Sequence, residues 1–137
     1  MLTPKRIKHR KWHKGRSRHR TKETRGVELS FGSHGLQALG NVWITSRQIE
    51  ASRKTMTQFT KRSGKVWIRV FPDKPVTMRP PEVTMGGGKG AVDHYVFPVR
   101  KGRVLFEIDG VADEMAREAL RRAGHKLPVK TRIIVKS

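Results

Sequence analysis

Between Arg62 and Gly90 the chain reads RSGKVWIRVFPDKPVTMRPPEVTMGGGKG, and no other stretch restricts the fold as much. Lys65 to Phe71 is rich in β-branched and aromatic residues and holds no breaker, which predicts a strand needing cover on at least one face. Pro72, Pro75, Pro80 and Pro81 each fix φ and lack an N–H. They are expected to end the ladder and hold the following chain semi-rigidly away from the sheet. Gly86, Gly87, Gly88 and Gly90 then give a tip without side-chain bulk, whose amides can approach a partner closely. A stiff stalk with a slim tip carrying Lys89 suits insertion into something narrow and negatively charged.

Charge points the same way. Lys and Arg number 31 against 11 Asp and Glu, a formal net charge of +20 in 137 residues. Repulsion on that scale opposes a compact free state, so a polyanionic partner is the natural counterweight. A solvated face explains a few surplus lysines but not an excess of twenty. The length fits one domain. There is no cysteine, hence no disulfide framework, thiolate nucleophile or cysteine zinc site. No 18-residue apolar run and no secretory apolar centre occur, so a cytosolic location is expected.

Residues 1–25 read as a basic arm. Lys5, Arg6, Lys8, Arg10, Lys11, Lys14, Arg16, Arg18 and Arg20 all precede the first acid, Glu23. Apolar side chains are nearly absent after Ile7 and Trp12, so little offsets the entropy of folding, and the arm is expected to order on binding. Arginine suits bidentate phosphate contacts and stacking on bases. Residues 26–137 read as a single body carrying a protruding glycine-rich loop, 79–92. Val27 to Phe31 alternates as a short strand, Gly32 to Gly35 as a turn, and Leu36 to Ile44 as extended chain broken near Gly40 and Asn41. Thr45 and Gln48 have capping-box spacing for a helix running to about Arg62, stopped by Ser63 and Gly64. Its buried stripe is Ile49, Ser52, Met56 and Phe59, while Arg47, Arg53, Lys54, Lys61 and Arg62 decorate the remainder, a face suited to a phosphate backbone.

Asp93 to Val99 and Arg103 to Asp109, joined by Arg100, Lys101 and Gly102, are predicted to form a hairpin. A second helix starts near Ala112, with Ala112, Met115, Ala116, Ala119, Leu120 and Ala123 on its inner face and Gly124 as its cap. A final strand covers Thr131 to Val135. The expected architecture is α+β: a mixed or antiparallel sheet of about six strands, two helices on one face, and an extended basic N-terminal arm.

Catalytic chemistry finds no footing. The phosphate-loop pattern G-x-x-x-x-G-K-[ST] fails because Val83 stands at its first glycine and Gly90 follows Lys89. Glu50, Glu107, Glu114 and Glu118 read as ordinary surface carboxylates, His94 as a lone strand histidine, and scattered serines build no Ser/His/Asp set. His9 and His13 are four apart without further ligands, so no metal and no cofactor are expected. The best amphipathic helix is alanine-rich and carries acids, which argues against a membrane surface. Trp12, Trp43, Trp67 and Tyr95 favour RNA over DNA, although Trp67 lies mid-strand and reads as core.

The segments MLTPKRIKHRKWHKGR, WITSRQIEASRKTM, GKVWIRVFPDKPVT, MGGGKG, GRVLFEIDGV and AREALRRAGHKLPVKTRI closely resemble the L-sixteen / L-ten-e family of large-subunit ribosomal proteins, from Met1 to about Val135. The resemblance implies a structural, non-enzymatic body bound to large-subunit (23S-type) rRNA through the arm and the helical face. It further implies that Met85, Gly86, Gly87, Gly88, Lys89 and Gly90 reach towards A-site tRNA near the peptidyl-transferase region, with P-site tRNA as a second contact. Other large-subunit proteins would be neighbours, no homo-oligomer is implied, and an organellar ribosome fits as well as a bacterial one. Family members commonly carry arginine just before the loop Met-Gly; here Thr84 stands there, and Gly87 replaces a frequent lysine or serine. A free RNA-binding regulator or chaperone using the same arm is the competing expectation.

Overall fold

The computed structural model describes residues 2–6, 11, 22–78 and 89–136. In chain order the elements are β1 (His34–Ala38), β2 (Val42–Thr45), α1 (Ser46–Phe59), β3 (Lys65–Ile68), β4 (Lys74–Met78), β5 (Ala91–Val99), β6 (Val104–Asp109), α2 (Asp113–Gly124) and β7 (Thr131–Val135). The α+β class holds. Among the described residues the strands are seven, however, and divide between two sheets, one ordered β3-β6-β1-β7 and the other β2-β5-β4. Every pairing is antiparallel.

The predicted β5–β6 hairpin is not formed, because the two strands belong to different sheets. Gly102, at φ 101°, donates its N–H to Ala38 O at 2.9 Å, and the chain crosses there from one sheet to the other. β6 then runs between β1 and β3 with Val104 to Glu107 and Ile108 buried, so what read as an alternating half-buried strand is the covered centre of its sheet. The Val27–Phe31 strand is absent as well. That segment lies irregularly over β6, and β1 begins at His34, inside the expected turn. Pro75 does not end a ladder: it sits within β4, where an edge position leaves one side unpaired and tolerates the missing N–H.

Both helices serve one core, built around Leu36, Ile44, Ile49, Met56, Leu105, Phe106, Ile108 and Leu120. The Thr45 capping box forms as expected: the Gln48 amide donates to Thr45 Oγ1 at 3.2 Å and the Thr45 amide to Gln48 Oε1 at 2.9 Å. α1 buries Ile49, Ser52 and Met56 against α2, and Ser52 Oγ donates to Ala123 O at 3.1 Å. α2 lies on β1, β6 and β7 through Ala116, Ala119, Leu120 and Ala123, the small residues permitting close approach. Met115, expected inside, is 39% exposed. Gly124 is the last helical residue rather than the cap, which is His125. A Cβ on Gly124 would meet Thr131 Oγ1 at 2.5 Å, so glycine is needed there for contact with β7.

A candidate nucleic-acid interface

The glycine stretch is the connection between β4 and β5. β5 pairs with β2 only from Val96 to Val99, and with β4 from Ala91 to Val96. Past Val96 the sheet therefore narrows to a two-stranded ribbon leading into residues 79–90. An irregularity between Val76 and Thr77 leaves Asp93 as an extra residue, a bulge that increases local twist. At the ribbon's inner end Lys74 is buried, its ammonium 4.4 Å from the centre of the Trp43 ring. Trp43, expected as a stacking surface, is thus engaged by a cation of its own chain. His94 forms a 2.7 Å contact with its neighbour Asp93 on the exposed ribbon.

Of the loop residues, Met85, Gly86, Gly87 and Gly88 lie outside the described residues, as does Thr84. Lys89 and Gly90 stand immediately before β5. The arm is divided likewise: Lys8, Arg10, Lys14, Arg16, Arg18 and Arg20, with Trp12, His9 and His13, lie outside the described residues, while Lys5, Arg6 and Lys11 are exposed. Lys11 Nζ donates to Lys89 O at 3.0 Å, so the arm and the loop root, 78 positions apart, meet. The arm is tied down elsewhere too. Leu2 packs against the core, the Glu23 amide donates to Lys101 O at 2.9 Å, and just past the arm the Val104 amide donates to Gly26 O at 2.7 Å. No periodicity could announce these anchors, since each joins residues far apart in sequence.

The cations of α1 converge more closely. Arg53, Lys54, Lys61 and Arg62, with Thr57 and Gln58, line an open cleft of about 500 Å³. Arg53, Thr57 and Arg62 also line an adjoining cleft that reaches Val66 and Ile68 of β3. Arg47 stands apart at the helix start. The helix ends at Phe59, sooner than expected, and the chain turns through Lys61 at φ 52° and Arg62 at φ 64° before Gly64 at φ 74°. Left-handed backbone normally falls to glycine at such a cap; here it aims two cations into the cleft. Arg53 is held by Glu50, whose carboxyl lies below the usual carboxylate range chiefly because Arg53 donates to it. Among the described residues no carboxylate pairs with Lys54, Lys61 or Arg62.

On α2 the charges are instead balanced locally. Glu118 accepts from Arg121 and Arg122, which bring its pKa down to about 2. Arg122 also lies 4.3 Å over the Phe59 ring, tying the two helices. Ser33, His34 and Asp113, which sequence order could not connect, come into line: Ser33 Oγ is 2.8 Å from His34 Nδ1, and His34 Nε2 is 2.7 Å from Asp113 Oδ1. Arg117 shares the Asp113 carboxylate, neither basic cleft reaches the group, and the contact clasps the first turn of α2 to the start of β1. Among the described residues no group of three or more His, Asp or Glu could hold a metal ion, and no helix is long and apolar enough to cross a membrane.

Two readings of single residues are overturned. Glu107, expected on the surface, is fully buried, and its Oε1 accepts from the amides of Ser30, Phe31 and Gly32 at 3.0, 2.9 and 2.9 Å, while Arg69 bonds Oε2. Burial alone would raise its pKa; the amides of Gly32 and Phe31, then Arg69 and Ser30, outweigh it and leave the pKa lowered. Trp67, expected in the core, sits on the outer face of β3. Val66 and Ile68 point inward instead, and Trp67 stacks on Phe31.

These features define a strongly basic α+β protein whose cations converge on one cleft along and just past its first helix. The sequence matches the ribosomal protein L16p/L10e family over residues 4–134. It is 57% identical to the large ribosomal subunit protein uL16c of Thalassiosira pseudonana, covering 99% of this chain and 98% of that protein. It is also 58% identical to the large ribosomal subunit protein uL16 of Gloeobacter violaceus, covering 100% of this chain and 91% of that one. The chain belongs to the ribosomal protein L16p/L10e family.

Proposed function

We propose that this protein is a structural constituent of the large ribosomal subunit. In this reading it binds 23S-type rRNA through two surfaces and supports tRNA positioning without performing chemistry itself. The observation that carries the reading is the convergence of Arg53, Lys54, Lys61 and Arg62 on one open cleft, three of them without an acidic partner among the described residues, in a chain of this family. Phosphates of folded RNA neutralise such a cleft, and their counterions are released on binding. The arm, 1–25, supplies the second rRNA surface, with Lys5, Arg6, Lys8, Arg10, Lys11, Lys14, Arg16, Arg18 and Arg20, and Arg47 extends the α1 face. The body, 26–137, presents the tip Met85–Gly90 to the acceptor arm of A-site tRNA, with P-site tRNA as a further contact. Lys89 and the tip amides neutralise phosphate there, and the β4–β5 ribbon gives them a firm base. Other large-subunit proteins complete the surroundings.

Sedimentation of tagged protein from cells in high salt tests this reading. A constituent stays with the large subunit after the wash. A free RNA-binding regulator or chaperone dissociates, and its recovery in the supernatant would displace the proposal. Within that frame, Lys89→Ala is expected to weaken A-site tRNA binding to purified subunits several-fold while the protein still assembles, measured by filter binding at several Mg²⁺ concentrations.

A further inference from the structure

Phe31 leaves 57% of its surface exposed, although nearly every neighbouring feature works to hold it still. Its ring stacks on Trp67 with centroids 5.9 Å apart and planes 18° from parallel. The Arg69 guanidinium lies 5.3 Å from its centroid, and Lys65 Nζ stands 5.4 Å from the Trp67 ring. Its backbone N–H, with those of Ser30 and Gly32, is held by the buried Glu107 carboxylate, which also fixes Arg69. Gly32 lets this segment close onto β6, since a Cβ there would meet Ile108 O at 2.7 Å. A buried charge thus locks the backbone of one exposed aromatic and the cation beside it. Preorganisation of this kind lowers the cost of binding something that stacks.

We propose that Phe31, backed by Trp67 and flanked by Lys65 and Arg69, is a stacking seat for an unpaired base of RNA. The proposal rests on the RNA-binding reading above and adds a second mode to it: the α1 cleft and the arm take phosphates, whereas this seat takes a base. Every base has a π-face, and in single strands that face is available; in a duplex it is covered by its neighbours. The flanking cations favour the anionic backbone that accompanies a base over a neutral apolar partner. Alternation along β3, continued by Arg69 just past its end, places Lys65, Trp67 and Arg69 on the outer face, opposite Val66 and Ile68, so the seat is separate from the α1 clefts.

The test measures binding of the full chain to a short single-stranded oligoadenylate and to an RNA duplex of equal length, at fixed salt. Phe31→Ala and Phe31→Leu should each weaken oligoadenylate binding about ten-fold, Phe31→Tyr should not, and duplex binding should be unchanged in all three. Phe31→Leu keeps apolar bulk against Trp67 but has no π-face, so a Leu variant binding like the parent would overturn the seat in favour of simple packing. Equal loss on duplex and single strand would overturn it too. So would binding of poly-glutamate that depends on Phe31 while oligoadenylate binding does not, since an acidic protein segment would then be the occupant. A parent chain that binds neither RNA defeats the broader reading as well, which separates the two failures.

Discussion

Glu107 ties together three segments that lie far apart in the chain. Its carboxylate gathers three amides from one segment and a guanidinium from another, all at a point with no exposed surface. Glu107→Gln keeps the shape but removes the charge facing Arg69, and is expected to cost on the order of 3 kcal/mol in denaturant unfolding. Because the folded pKa is lowered, the stability from this group is present above the unfolded carboxylate value. It is lost as pH falls through the folded one. An acid titration of stability should therefore be shallower in Glu107→Gln than in the parent. Nothing in a strand of alternating residues betrays such a role, since the amide partners stand 75 to 77 positions earlier in the chain and Arg69 stands 38 earlier. Lys61 and Arg62 make the complementary case. L-residues with left-handed backbone cost about 1 kcal/mol each, so Arg62→Gly should stabilise the free protein by about that much. The same change should weaken rRNA binding, and thermal melts beside a binding titration would show both movements.

Among the elements, those with local causes were legible. The Thr45–Gln48 capping box begins α1 where the spacing demanded, and Thr45→Ala should cost about 1 kcal/mol by thermal or denaturant unfolding. The apolar period of α2 and the span of β7 were equally readable. Sheet membership was not. β5 and β6 carry a turn sequence between them, yet Gly102 turns the chain across to Ala38 of the other sheet, and β6 is claimed by β1 and β3. Pro75 looked like a terminator because the sequence does not say which strands are edges, and an edge is where a proline does no harm. The α1 face was foreseen as cationic from its spacing, but its focus at Arg53, Lys54, Lys61 and Arg62 depends on the left-handed turn after Phe59. The Phe31–Trp67 stack had no signal, because the segment bearing Phe31 was read as a strand of its own.

For the molecule as a whole, a net charge of +20 sets the behaviour of the free chain as much as any fold contact does. Self-repulsion is relieved by salt or by RNA, so the free protein should gain stability as ionic strength rises while its RNA affinity falls. Deleting residues 1–22 should remove most of the slope of log K against log salt for rRNA binding, leaving the α1 cleft to supply the remainder. In the proposed function, arm, helix and loop address different parts of one RNA assembly. Crosslinking tagged protein in growing cells, followed by sequencing of the attached RNA, tests it most directly. Arm and α1 crosslinks are expected in large-subunit rRNA, and loop crosslinks in tRNA acceptor ends. Crosslinks scattered over messenger RNA, with little in rRNA, would contradict it.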